Sequence, residues 1–491
     1  MFDANMSTND SLIPSDQPNN SRIQRRQFVL ATLSLGFAGS FFGEPQRAFA
    51  DQGTQYRLND SMPTFRKVRA TLDVEGKVRV NPDGKKVREF PMSLSGQYEY
   101  DERLMPKPLL KRTIRYYSKA HTKTQASGQP GEAGIDPVKK LIVNDFTGGP
   151  QAVIFCPEFS LTREELELVT IPGNSLATSL LLPNDPVTIG QTWEVLDAGL
   201  VGVLNLDAIS KNEVTGKLTK VEGQVATIEL DGKVAGAVGG VATDVELRGK
   251  INFDLEANTI TWFAAQISEE RSIGHAHPGF TIKAVVRTQM EPIDEVAKLS
   301  DSAIAQLNLE PDMGQQMLLF DGREIGCRFM HPRDWHAMGE TGKATVFRLI
   351  REGELLAQCN ISRMTNLKAG EQTTLEGFQA NVSSALGERL GQVMDAAERV
   401  TSEGLRELRI TAVGTAEKLP ITWVYYLMSD DTGRRYSLVF TYETTLTEKV
   451  AEADRTFTSG FSMLELEGPK AAQVKEEPEV KTATRRVKLE G

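Results

Sequence analysis

Val245-Glu246-Leu247-Arg248-Gly249-Lys250-Ile251-Asn252-Phe253-Asp254-Leu255 is the stretch that decides the fold. Apolar residues stand at alternate positions, with Gly249 in one of them and charged or polar residues between. A period of two turns one face of a strand to a core and the other to water, whereas a helix would repeat every three to four residues. Working outward, Asn258 marks a turn, and Ile260 and Trp262 open the next strand. Upstream, Ala226, Ile228 and Leu230 alternate with Val225, Thr227 and Glu229. Glu222-Gly223 and Asp231-Gly232 read as hairpin turns, because Gly accepts the positive φ of a tight turn. Val68, Ala70, Leu72 and Val74 alternate with Arg69, Thr71 and Asp73. Residues 64–292 are therefore expected to form an antiparallel meander of long strands, a curved sheet or half-barrel.

Within 51–292 lies a helical insert. Ser160 or Thr162 can cap a helix over Thr162–Val169, and Glu164 and Glu165 suit the positive end of its dipole. Asn174–Leu182 reads as a short apolar helix stopped by Pro183, a plug or lid for the sheet. Residues 123–137, rich in Gly and Pro, read as a loop. Ile293, Val296, Leu299, Ala303 and Leu307 fall at helical spacing, so 293–316 is expected to be a linker helix.

A second domain, 317–467, has strand candidates at Glu324–Met330, Ala344–Arg351, Leu355–Met364, Arg406–Thr415, Ile421–Ser429 and Arg435–Tyr442. Leu375, Phe378, Val382 and Leu386 mark one helix, and Leu446, Val450, Ala453 and Phe457 a second. Strands, helix, strands, helix with short connections predict an antiparallel sheet with flanking helices, so the chain as a whole is classed α+β. The tail, 468–491, has the composition of a disordered segment.

The chain has 491 residues, 56 Lys+Arg against 66 Asp+Glu, and three Cys. Its 40% hydrophobic and 25% charged content exclude a mainly disordered, collagen-like or polytopic membrane protein. A net charge of -10 and the lack of a basic-aromatic stripe argue against nucleic acid.

The first fifty residues read as an address. Arg25 and Arg26 precede Phe28 and an apolar run to Phe42, and Ala48 and Ala50 stand where a signal peptidase reads small side chains. The run is too short to span a bilayer, which takes about 20 residues. The paired Arg with Phe28 resembles the twin-arginine signal that exports folded proteins. It departs from the full pattern at Gln24 and in lacking a Lys after the pair. An extracytoplasmic, periplasmic location follows as the expectation, with cleavage after Ala50 and no stable membrane insertion of the mature chain. Retention as an N-terminal anchor is the alternative.

Phe329-Met330-His331-Pro332-Arg333-Asp334-Trp335 and the closing Phe457-Thr458-Ser459-Gly460-Phe461 resemble the opening and final helix of PsbP-like domains, although Gly460 interrupts the closing Ser-Phe pair. The resemblance implies a small exported or lumenal α+β module that binds partner proteins and assists assembly, usually without catalysis. Pro186-Val187-Thr188-Ile189-Gly190-Gln191-Thr192-Trp193 makes the first domain similar to an uncharacterised family of exported bacterial β-rich proteins, which implies no activity.

The sequence contains no nucleophile elbow and no phosphate loop of the Gly-Lys-Ser/Thr type. The glycines of Ala235–Val241 lie within the strand meander, without the helix N-terminus that binds phosphate. His275 and His277 have a spacing found in metal sites, with Glu269 and Glu270 the nearest further ligands; a polar turn with exposed imidazoles is the other reading. His331 and His336 flank Trp335 in a segment that reads as packing. Cys327 and Cys359 are a candidate disulfide if their strands are neighbours, worth roughly 3 kcal/mol in the chain-entropy model. Two buried thiols are the alternative. The expectation is a non-enzymatic envelope binding or assembly protein with a protein partner and no cofactor. The alternatives are a carrier of an apolar ligand or lipid in the β-rich domain, and a metal-dependent hydrolase on His275 and His277.

Overall fold

The computed structural model describes residues 53–81, 86–105 and 112–465. Arg25, Arg26, Phe28, Ala48, Ala50 and the tail lie outside the described residues. The alternating run of the meander becomes a sheet of 13 strands. These are β1 (Phe65–Val80), β2 (Arg88–Leu104), β3 (Arg112–Ala126), β4 (Gln129–Gly134), β5 (Leu141–Asp145), β6 (Val153–Phe155), β7 (Thr192–Glu194), β8 (Ala208–Asn212), β9 (Thr215–Glu222), β10 (Val225–Val238), β11 (Val241–Asp254), β12 (Thr259–Arg271) and β13 (Gly279–Pro292). Their order is β6-β5-β3-β2-β1-β13-β12-β11-β10-β9-β7, with β4 on β3 and β8 on β10. The sheet is antiparallel and open, not closed into a barrel. β1 and β13 pair in register, Val68 with Met290 and Leu72 with Val286, so the meander grows outward from its two ends. Val68, Ala70, Leu72, Val74, Val245, Leu247, Ile251 and Phe253 are all buried in one core, as their alternation requires.

Two turns differ from expectation. Asp231-Gly232 lies inside β10, where a Cβ on residue 232 would sit 2.3 Å from the Glu213 carbonyl oxygen. Gly is needed there for close approach of the backbone joining β8 to β9. The hairpin turn is at Gly239-Gly240, with φ of 58° and 71°. Residues 123–137 are also not a loop: β3 runs on and turns at Ser127-Gly128 into β4.

The insert covers the buried face. Helix α1 (Arg163–Val169) starts at Thr162, whose hydroxyl accepts from Glu165 N while Glu165 accepts from Thr162 N. Residues 177–181 form a 3-10 turn, and Leu176, Leu181 and Leu182 are buried in the sheet's own core. Helix α2 (Asp197–Leu204) escapes sequence reading because Gly199 to Leu204 are buried on every side, which erases the amphipathic period. The linker is three short turns and not one helix: Ser300, in extended conformation, restarts the chain by capping Asp301–Ile304.

The second body holds a 3-stranded sheet, β14 (Leu318–Gly322), β15 (Cys327–His331) and β23 (Ser462–Met463). Beside it lies a 7-stranded sheet in the order β16-β17-β18-β22-β21-β20-β19. Those strands are β16 (Trp335–Glu340), β17 (Ala344–Arg351), β18 (Glu354–Arg363), β19 (Leu390–Val400), β20 (Arg406–Ala416), β21 (Leu419–Ser429) and β22 (Arg435–Glu443). The helix Leu375–Leu386 packs on one face, against Leu408, Ile410 and Trp423. The helix Ala453–Ser459 packs with Tyr426, Leu438 and Phe440 on the other. The expected single closing helix is split by Ala451, at φ 43°. Cys327 and Cys359 do not meet the condition for a bridge: β15 pairs with β14 and β23, and β18 with β17 and β22. Both thiols are free in the same core, and burial pushes each well up from the ordinary thiol range.

Charge is also buried. Glu102, 1% exposed, accepts from Arg66 Nε at 2.5 Å and from Arg115 Nε at 2.8 Å. Arg115 Nη2 donates to Asn174 Oδ1 and Ser175 Oγ, both at 3.0 Å, and Ser175 Oγ donates back to Glu102. This network ties the insert to the sheet. The next residue, Arg103, points the other way and holds the linker through Leu299 O and Asp301. Arg112 adds Asp145 at 2.7 Å and Glu310 at 2.9 Å. Burial by itself would raise the Glu102 carboxyl; the two guanidinium charges and the hydrogen bonds from Arg115 and Ser175 outweigh it and hold it at about 2.

A folded pKa below the unfolded one stabilises above the ordinary carboxylate range, and that stability is lost as pH falls toward about 2. Glu102→Gln should therefore flatten the acid limb of urea-unfolding stability against pH. Glu102→Ala, which strands both arginines, should lower neutral-pH stability by roughly 3–5 kcal/mol. An unchanged acid limb in Glu102→Gln would contradict the assignment.

Candidate functional site

The capping box at Thr162 fixes the first turn of α1 and so the direction of Arg163. Arg163 Nη2 donates to the carbonyl oxygens of Arg333 and Trp335 in the second body. Arg333 answers with Nη2 on Ile154 O at 2.6 Å and Nε on Gln316 O at 2.8 Å. Leu319 N donates to Leu161 O at 2.9 Å. A second contact joins two hairpin tips: a Cβ on Gly240 would lie 2.0 Å from Gly353 N. Arg348 Nη1 donates to His275 O at 2.6 Å nearby. Most of these bonds end on backbone oxygens, which side-chain rotation cannot move.

Between the contacts lies a cleft of about 510 Å³. Helix α1 lines it with Arg163, Glu164 and Glu167, the β12–β13 loop with His277, and β15 and β16 with His331 and His336. Asp321 and Glu340 complete its acidic wall. The expected pair is not assembled. His275 is exposed outside the cleft, while His277 faces His336 with ring centroids 4.8 Å apart at 83°. The nearest carboxylates in sequence are taken: Glu269 pairs with Arg271 and Glu270 with Arg79. Among the described residues no three His, Cys, Asp or Glu converge as a preformed metal site.

His331 and His336, on either side of the packing residue Trp335, both line the cleft. Alternation along β16 explains His336: Trp335 is fully buried against Phe457, so its neighbour turns outward. His331 is 3% exposed, packs on Phe347, and donates Nδ1–H to the Pro332 carbonyl oxygen at 2.8 Å. Burial lowers His331 to about 4 despite that hydrogen bond. Burial, then the positive Arg163 and the neighbouring imidazoles, lowers His336 to about 3. His277 shifts down for the same reasons of burial and nearby arginines. Glu167 is open to the cleft, but the surrounding protein displaces bulk water and raises its carboxyl against the opposing pull of Arg163. The cleft is thus a polar chamber of neutral imidazoles and carboxylates.

No family model matches the chain, and no curated protein matches it. Some solved structures are weakly similar. A protein from Bacteroides thetaiotaomicron VPI-5482 is 11% identical over 30% of this chain and 49% of its own, at a TM-score of 0.24. The chain thus spans about half of that protein. Cyanobacterial PsbP (CyanoP) from Synechocystis sp. PCC 6803 is 18% identical over 30% of this chain and 92% of its own, at 0.24. Lipovitellin is 10% identical over 48% of this chain and 26% of its own, at 0.29. Likeness at this level carries no functional argument. No helix among the described residues is long and apolar enough to cross a membrane.

A histidine whose folded pKa is depressed stabilises above the ordinary imidazole range, and that stability fades as pH falls through the folded value. His331 should therefore stay neutral by NMR until close to pH 4, while native stability declines from the ordinary range of 6.5 downward. His331→Asn should remove part of that decline. A His331 resonance titrating at its ordinary value would contradict its burial in the joint.

Proposed function

We propose that the protein is an exported, non-enzymatic binding module of the cell envelope that engages a protein partner at the cleft between its two bodies. The observation that carries this reading is unused hydrogen-bonding capacity on walls that are otherwise fixed. Neither ring nitrogen of His277 or of His336 has a hydrogen-bond partner among the described residues, and Glu164 and Glu167 make no ion pair within reach. Polar groups inside a protein are normally satisfied by it, and a rigid surface with unsatisfied groups suits recognition of something else. The PsbP-like reading of the second body and the twin-arginine-type signal, which exports folded proteins, support the same role.

The apolar-carrier alternative would need the insert to withdraw, since Leu176, Leu181 and Leu182 fill the face where a lipid would lie. The hydrolase alternative rests on His275 and His277, which face different surroundings.

The test is site-specific photo-cross-linking in intact cells. A probe at Ala337, on the cleft wall, should give one dominant adduct, and a probe at Lys283, exposed on the sheet, should not. N-terminal sequencing of the same envelope material should begin at Asp51. No adduct from Ala337, or the same adducts from both positions, would refute the reading.

A further inference from the structure

We propose that His277 and His336 form a site for one divalent transition-metal cation, bound across the joint between the two bodies. The imidazoles come from elements far apart in sequence, the β12–β13 loop and β16, and meet in the cleft with centroids 4.8 Å apart. Two imidazoles on one ion, each with a metal–nitrogen distance near 2.0–2.1 Å, place their ring centroids roughly 4.5–5.5 Å apart. The observed separation falls in that range. No protein group holds the ring nitrogens of either residue among the described residues, so their lone pairs are available.

The charge of the cleft decides between a cation and an anion. Arg163 opposes a cation, but its guanidinium is already directed at two backbone carbonyls. Asp321 is matched by Arg323 and Arg328. That leaves Glu164, Glu167 and Glu340 on the cleft wall against Arg163, while Arg271, which also bears on His277, is paired with Glu269; a wall with more carboxylates than unpaired guanidinium groups suits a cation better than phosphate or carboxylate. Imidazole donors select zinc, copper or nickel over calcium or magnesium, which take oxygen ligands. With only two protein donors, the remaining coordination positions belong to water. Binding would also latch the loop to β16, so the ion stabilises the joint by mass action.

The inference rests on the cleft as the ligand site, and not on the partner being a protein. The test uses the full chain without a polyhistidine tag. Zinc chloride followed by calorimetry should show one saturable ion per chain. His277→Ala and His336→Ala should each weaken binding at least tenfold, while His275→Ala leaves it unchanged. His336→Gln, which keeps a polar side chain on β16, guards against misfolding, with metal-free melting as the folding control. Copper(II) loaded into the wild type should show hyperfine coupling to two imidazole nitrogens, and to one in either variant. Absence of saturable zinc binding, or wild-type affinity kept in both cleft variants, would overturn the proposal. Either result alongside a persistent Ala337 adduct would leave the binding-module reading standing.

Discussion

A single buried carboxylate organises this molecule. Glu102 sits under two guanidinium groups and a serine hydroxyl, and each of those partners belongs to a different piece of chain. Arg66 is on β1, Arg115 on β3 and Ser175 in the insert. Removing any one strands the others in a water-poor core, which is costlier than never having buried them. Because successive strand residues face opposite ways, Glu102 clamps the insert to one side of β2 while Arg103 clamps the linker to the other. Both layers are thereby placed relative to one strand.

The cleft is a consequence of that placement. The insert, once seated, presents α1 with its capped first turn, and Arg163 becomes a fixed donor toward the second body. The linker, held through Arg112 and Glu310, delivers β14 beside Leu161. The two bodies then meet at α1 and at the Gly240–Gly353 tips, and the space left between these contacts collects polar side chains that neither core could take. Imidazoles brought there lose solvation more than they gain charge partners, so they stay neutral and keep their lone pairs.

The fold was legible wherever one face of an element meets water. Val245–Leu255, Val68–Val74 and Leu375–Leu386 carry their periods plainly because their outer faces are solvated. Legibility failed where that contrast vanishes. Helix α2 is buried all round. Strand β19 has bulges that turn Val393 and Ala396 inward at three-residue spacing, mimicking a helix. Asp231-Gly232 carries the signature of a turn but serves close backbone approach. The site was half legible. The spacing of His275 and His277 points to a local pair, yet the ring beside His277 is that of His336, 59 residues further on and joined to it only by the docking of two bodies. Local spacing contains no trace of such a meeting; only the alternation at Trp335-His336 hints that the histidine faces outward.

Because Arg163 of one body is held on two backbone carbonyls of the other, the two are expected to move as one unit around a preset cleft. Electron–electron resonance between spin labels at Lys250→Cys and Glu376→Cys, both exposed, measures it directly, since the three native thiols are buried. A single narrow distance distribution is expected in the otherwise native chain, broadened severalfold by Arg163→Ala. A distribution already broad in the native chain, or unchanged by Arg163→Ala, would contradict it.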